Sequence, residues 1–161
     1  MLIGVVSDTH NNLKNIKKII SLFNETKLEL VIHTGDITNS KSLHEFKNLN
    51  CEFYAVLGNN DRNEEGLKEV ARNYNFKLTD PPLFLKIKKR KIAVFHEPEL
   101  INQYNMEGLD LILHGHTHRY REEIINKVVV FNPGESAGFQ KGKNAVGIID
   151  LSDLSTKRIF F

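Results

Sequence analysis

The sequence predicts an α/β domain in which two sheets of mixed strands pack face to face with helices outside. Three observations carry that expectation. Apolar runs alternate with amphipathic segments from the first residue to about residue 114, the pattern changes after Pro81-Pro82 and the C-terminal third is strand-rich, and 161 residues with 40% hydrophobic side chains suffice for a real core. A chain of this length buries about 70% of its unfolded surface on folding, so it needs no staples. No linker, fixed-period repeat or compositional break interrupts it, and one domain over residues 1–161 is expected.

Leu2 to Val6 reads as a buried strand, followed by Asn12 as N-cap of a helix whose Leu13, Ile16, Ile20 and Phe23 recur at three- and four-residue steps. Lys14, Lys17 and Lys18 fall outside that face. Leu28 to Thr34 is the next strand, Ser40 to Leu49 a helix, Phe53 to Leu57 a strand, and Asn63 to Tyr74 a helix with Leu67, Val70 and Ala71 inward. Strands separated by helices of this size pair in parallel, with right-handed crossovers. Beyond Pro82 the strands Leu83 to Ile87 and Ile92 to Phe95 flank Lys88-Lys89-Arg90-Lys91, a charged hairpin turn rather than a nucleic-acid patch, because no aromatic is interleaved. Leu109 to Leu113, Val128 to Phe131, Ala145 to Ile149 and Arg158 to Phe161 complete the strands. Periodicity alone leaves open whether they form a separate sheet.

The 22 basic and 20 acidic residues leave a formal charge of +2, too small to imply a stable nucleic-acid complex. No apolar run reaches the roughly 20 residues of a membrane-spanning helix, and no basic n-region leads into an apolar stretch at Met1. Cys51 stands alone and reads as a small buried apolar group. A cytoplasmic, reducing location without a membrane partner is the expectation.

Five apolar runs end in metal-binding residue types: Asp8-Thr9-His10, Gly35-Asp36, Gly58-Asn59-Asn60-Asp61, His96 and Gly115-His116-Thr117-His118. The carboxyl ends of parallel strands share one rim, where ligands bind, so these groups are expected to converge. Gly35, Gly58 and Gly115 each precede a donor and are expected to let the chain turn sharply with its backbone close to the bound group, as a residue free to take positive φ can. The donors Asp8, His10, Asp36, Asn59, His96, His116 and His118 form a nitrogen and oxygen set without thiolate. Such a set suits Mn, Fe, Co, Ni or Zn better than Mg or Ca, and the affinity order does not choose among those five. Seven donors exceed the needs of one ion. Two ions about 3.5 to 4 Å apart, sharing a carboxylate, would use them all.

The ordered set D-x-H, G-D, G-N, a lone His and G-H-x-H resembles the calcineurin-like metallophosphoesterases over residues 8 to 118, and Asn132-Pro133-Gly134 resembles the turn of the small single-domain phosphodiesterase branch. That resemblance implies a β-sandwich flanked by helices. It also implies that Asp8, His10 and His118 hold one ion, Asn59, His96 and His116 the other, and Asp36 bridges them. A phosphodiester would then be cleaved by a hydroxide bridging the two ions, available near neutral pH because metal binding lowers the pKa of water to about 7 in favourable sites. A small-molecule phosphodiester is the expected substrate. Relatives of the family often form dimers, so a homodimer is entertained, although no exposed apolar stripe defines its interface.

Two positions depart from the family pattern. Asn60 stands where the family has a His that protonates the leaving oxygen; an amide contacts phosphate but supplies no proton. Glu97 follows His96 where many relatives have Gly, and its charge is expected to repel a monoester more than a diester. Asp61 is read as orienting a metal-bound imidazole. His33 and His44 read as structural, and Arg62 and Arg119 as solvent-facing. The alternatives to a diesterase are a phosphomonoesterase with the same dinuclear site and a non-catalytic interaction scaffold, since the fold resembles a retromer subunit. Turnover restored by added metal separates the enzymes from the scaffold.

Overall fold

The computed structural model describes all of residues 1–161. Its strands are β1 (Leu2–Val6), β2 (Leu30–His33), β3 (Glu52–Val56), β4 (Lys77–Thr79), β5 (Leu83–Ile87), β6 (Arg90–Val94), β7 (Leu111–Leu113), β8 (Arg121–Ile125), β9 (Val128–Asn132), β10 (Ala145–Asp150) and β11 (Thr156–Phe160). Its helices are α1 (Leu13–Glu25), α2 (Ser40–Glu45) and α3 (Glu65–Asn73), with short 3-10 turns at Phe46–Asn48 and Pro98–Gln103. One six-stranded sheet runs β11-β10-β1-β2-β3-β4 and a separate five-stranded sheet runs β5-β6-β7-β9-β8. Of the strand-rich second half, β5 to β9 build their own sheet, while β10 and β11 return to the first.

Both sheets are mixed. β1 to β4 are parallel neighbours, as helical crossovers demand, while β10 and β11 close that sheet antiparallel. In the second sheet β6, β7 and β9 are parallel and the edges β5 and β8 antiparallel. Alternation along each strand sends Ile3, Val5, Leu30, Ile32, Val56 and Ile149 of the first sheet against Ile92, Val94, Leu111, Leu113 and Phe131 of the second. The opposite face of the first sheet carries Val6, Val31, Phe53, Ala55 and Val146, which pack with Ile16, Ile19, Ile20, Phe23, Leu43 and Leu67 of the helices. Burial on both faces explains why the central strands read as unbroken apolar runs.

Local signals set the helix starts. Asn12 caps α1 by accepting from Asn15 N at 3.1 Å, and Asn39 caps α2 by accepting from Ser42 N at 2.8 Å. Two expectations need correction. Leu13 lies on the exposed side at 38% accessibility and the buried stripe runs through Ile16, Ile19, Ile20 and Phe23 instead. The Lys88–Lys91 run divides: Lys88-Lys89 make the turn, whereas Arg90 and Lys91 belong to β6, with Arg90 pairing Asp110 at 3.2 Å. No helix is long and apolar enough to cross a membrane.

Candidate metal centre

The donors stand just past the C-terminal ends of β1, β2, β3, β6 and β7, so the rim that gathers them is shared between the two sheets. Asp8, His10 and His118 bring three donor atoms within 4.8 Å of one another, and Asp8, Asp36 and His96 do the same. His118 Nε2 lies 3.4 Å from Asp8 Oδ1 and 3.3 Å from His10 Nε2. On the other side Asn59 Oδ1 is 3.0 Å from both His96 Nε2 and His116 Nδ1. Between them Asp36 turns Oδ1 toward His96 Nε2 at 3.4 Å and Oδ2 toward His10 Nε2 at 3.7 Å. All seven sequence-selected donors thus lie in one cluster at this rim.

The backbone there is unusual. Asp8, His10, Asp36, His116 and His118 all take positive φ, between 41° and 67°. Asp and His visit this region more readily than other side chains, yet each such residue costs of order 1–3 kcal/mol, and the concentration of five at one rim marks a site the fold over-determines. The glycines divide the two expected tasks. Only Gly35 uses positive φ, at 106°. Gly58 and Gly115 are needed for close approach: a Cβ on Gly58 would overlap the carboxylate and amide of Asp36, and one on Gly115 the Ser7 hydroxyl and the Asp8 carboxylate.

A layer of partners fixes the donors. Asp8 is fully buried; its Oδ2 accepts from His116 N at 3.1 Å and from the Ser7 hydroxyl, while its Oδ1 has no hydrogen-bond partner. His96 Nδ1 donates to Thr34 O at 2.8 Å, which leaves Nε2 as the lone-pair nitrogen facing Asp36 and Asn59. Asn60 donates twice to Asp36, through N to Oδ1 at 3.0 Å and through Nδ2 to Oδ2 at 2.8 Å. Asp61 departs from its expected role. Its carboxylate touches no imidazole and instead accepts from the backbone N–H of Asp36, Ile37, Gly58 and Thr38 at 2.6–3.2 Å, pinning the loops after β2 and β3 together.

Charge placement follows from this packing. Burial alone would push the Asp36 carboxyl up, but the His96 and Asn60 hydrogen bonds outweigh it and hold it well below the usual carboxylate range. Burial opposes the His96 imidazolium, yet Asp36 and Asp8 raise its pKa on balance. The Asp8 carboxylate, whose Oδ1 stands 3.4 Å from His118 Nε2, raises that of His118. His33 behaves as a structural group: Nδ1 accepts from Gly35 N at 3.1 Å, Nε2 donates to Thr9 Oγ1 at 3.0 Å, and burial pushes its pKa down to about 3. Glu97 is not a bare charge beside the rim, because Arg62 pairs with it at 2.7 Å.

Sequence reasoning missed several supporting residues. Buried Asn132 donates through Nδ2 to Gly115 O at 3.1 Å and Thr117 Oγ1 at 3.3 Å and accepts from Gly134 N, steadying the loop that carries His116 and His118. Buried Glu135 accepts from three successive amides, Gly138, Phe139 and Gln140, and so shapes a loop that lays Phe139 over His10 and His118. The N-P-G turn was a signal for the first; nothing marked the second.

Known proteins share this fold. The model of the calcineurin-like phosphoesterase superfamily domain matches residues 1–154. Phosphodiesterase MJ0936 of Methanocaldococcus jannaschii is 37% identical, covering 99% of this chain and 98% of that protein, and phosphodiesterase YfcE of Escherichia coli is 27% identical over 96% and 90%. Among solved structures, an archaeal phosphodiesterase superposes with a TM-score of 0.91 at 35% identity over the whole of both chains. Vps29 of Entamoeba histolytica, 17% identical, reaches 0.70 over 99% of each chain and shares the fold. The chain belongs to the calcineurin-like phosphoesterase superfamily and is by that membership a phosphoester hydrolase.

Proposed function

We propose that the protein is a phosphodiesterase that works with two divalent metal ions, built as one domain over residues 1–161. The observation that carries this reading is the buried Asp8 Oδ1, which lacks a hydrogen-bond partner although it lies in a cluster of lone-pair donors. A buried carboxylate oxygen without a donor is costly unless a cation completes it. In this reading Asp8, His10 and His118 hold one ion, Asn59, His96 and His116 the other, and Asp36, with one oxygen toward each group, stands between. Mn or Ni are the first candidates, with Fe, Co or Zn as alternatives; the nitrogen and oxygen set suits all five and does not rank them. When bound, such ions ionise water at neutral pH and neutralise charge on a phosphoryl group.

The chain's own residues supply the positioning. Thr34 fixes the tautomer of His96, Asp61 locks Asp36 and Gly58 in register, and Asn60 orients Asp36 while its amide remains within reach of a phosphate oxygen. No side chain here replaces the missing proton donor, which points to esters with acidic leaving groups. The diester preference rests on the names of the relatives and on Glu97, whose charge Arg62 offsets only in part. The net charge of +2 and the lone free Cys51 support a small-molecule substrate and a reducing, cytoplasmic setting.

Chelated protein reloaded with manganese or nickel is expected to bind two ions per chain by calorimetry and to hydrolyse bis(p-nitrophenyl) phosphate faster than p-nitrophenyl phosphate. Two bound ions without turnover of either ester would favour the scaffold reading. A reversed substrate order would make the protein a monoesterase.

A further inference from the structure

Phe139 is 65% exposed, yet it is no accidental surface phenylalanine. Its ring lies nearly parallel to that of His118, 11° between planes and 5.4 Å between centroids, and 5.0 Å from the ring of His10. The loop that displays it is built for the purpose. Glu135, 1% exposed, accepts from the amides of Gly138, Phe139 and Gln140; Asn12 and Asn15 donate to Ala137 O and Ser136 O at 2.6 and 2.8 Å; and Ser136 N reaches Asp8 O. Gly138 makes the turn at φ 85°. A loop tied down by so many polar contacts holds an apolar ring with one face on the imidazoles and the other open to solvent.

We propose that the open face of Phe139 is a stacking wall for a planar ester arm of the substrate, which makes diesters with an aryl or nucleobase-bearing arm the preferred class. This rests on the phosphodiesterase reading for its phosphate but not for its geometry. An aryl ester carries its ring one oxygen away from phosphorus, so a phosphate held among His10, His118 and their partners brings that ring to the level of Phe139. Offset stacking of flat π faces discriminates a planar arm from an alkyl one without any hydrogen bond. A nucleoside arm would reach the same wall with its base.

The test compares wild type with Phe139→Leu, which keeps an apolar cover on the imidazoles but no flat face, and Phe139→Tyr, which keeps the face. Binding of the inert diesters diphenyl phosphate and dimethyl phosphate to the zinc-loaded proteins is followed by NMR, together with KM and kcat for bis(p-nitrophenyl) phosphate and for the p-nitrophenyl ester of thymidine 5′-phosphate. The leucine variant is expected to lose roughly 5- to 100-fold of the preference for diphenyl over dimethyl phosphate, with the loss in turnover appearing in KM, while the tyrosine variant keeps it. A KM loss confined to one of the two p-nitrophenyl esters assigns the wall to aryl or to nucleobase arms. A diphenyl-to-dimethyl ratio unchanged in the leucine variant overturns the proposal whatever the turnover. Loss of that ratio in a protein whose wild type hydrolyses no diester would overturn the phosphodiesterase reading and leave the wall standing.

Discussion

Asn60 shows how much one side chain decides. Its amide donates to Asp36 at 2.8 Å, so the residue positions a candidate metal ligand, but it carries no titratable proton for a leaving oxygen. Because general acid assistance is worth about 10² to 10⁴ in rate, Asn60→His is expected to raise turnover of alkyl esters far more than that of aryl esters, whose leaving groups need no proton. A parallel assay of both ester types on the variant checks this; an equal gain on both would mean that Asn60 acts only through Asp36. Arg62 offers a second test. It holds the Glu97 carboxylate at 2.7 Å, so Arg62→Gln is expected to free that charge and lower the monoester-to-diester ratio several-fold, the size expected for about 1 kcal/mol between charges near 4 Å in water. The seven donors were readable because metal chemistry restricts residue type and each follows an apolar run. Asp61 was misassigned because its partners are backbone amides of Asp36 and Thr38, which no pattern of side chains announces.

The elements were legible in proportion to their burial. β1, β2, β3 and β10 read clearly because both faces are apolar. β4 and β8 did not: Lys77–Thr79 is three residues long, and Arg121–Ile125 carries Arg and two Glu on a sheet edge, where charge protects against further pairing. The tie between β2 and the metal loop makes a prediction at this scale. His33 at the end of β2 is neutral in the folded protein with a pKa of about 3, against an ordinary 6.5, so between those values the unfolded chain takes up a proton that the folded one refuses. Stability contributed by this group is therefore lost as pH falls below about 6.5, at up to about 1.4 kcal/mol per pH unit. Urea titrations of the metal-free protein from pH 6.5 to 5 are expected to show that decline, and His33→Gln to flatten it. Asn132 connects β9 to the loop after β7 through two hydrogen bonds, and Asn132→Ala is expected to weaken metal affinity by about 10- to 100-fold, measurable by calorimetry.

At the scale of the whole molecule, the rim shared by the two sheets works against the metal-free fold. Asp8 is buried with an unsatisfied oxygen, and five donor residues hold a left-handed backbone. His118 and His96 partly compensate as imidazolium ions: their raised pKa values mean that this stabilisation is complete below the ordinary histidine value and is lost as pH rises through the folded one. Metal binding requires the opposite, neutral imidazoles, and so strengthens over the same rise. The metal-induced gain in unfolding midpoint is therefore expected to grow from pH 6 to pH 8. With free metal at a hundred times its Kd the gain should be about 2.7 kcal/mol, or roughly 5–10 °C for a chain of this size. Asp8→Asn separates function from stability in the same experiment. Replacing an incompletely paired buried charge with an amide should raise the metal-free midpoint, more so as rising pH removes the compensating imidazolium, while abolishing the shift on adding manganese. A variant whose metal-free midpoint falls instead would show that the Ser7 and His116 hydrogen bonds to this carboxylate outweigh the charge they help to bury.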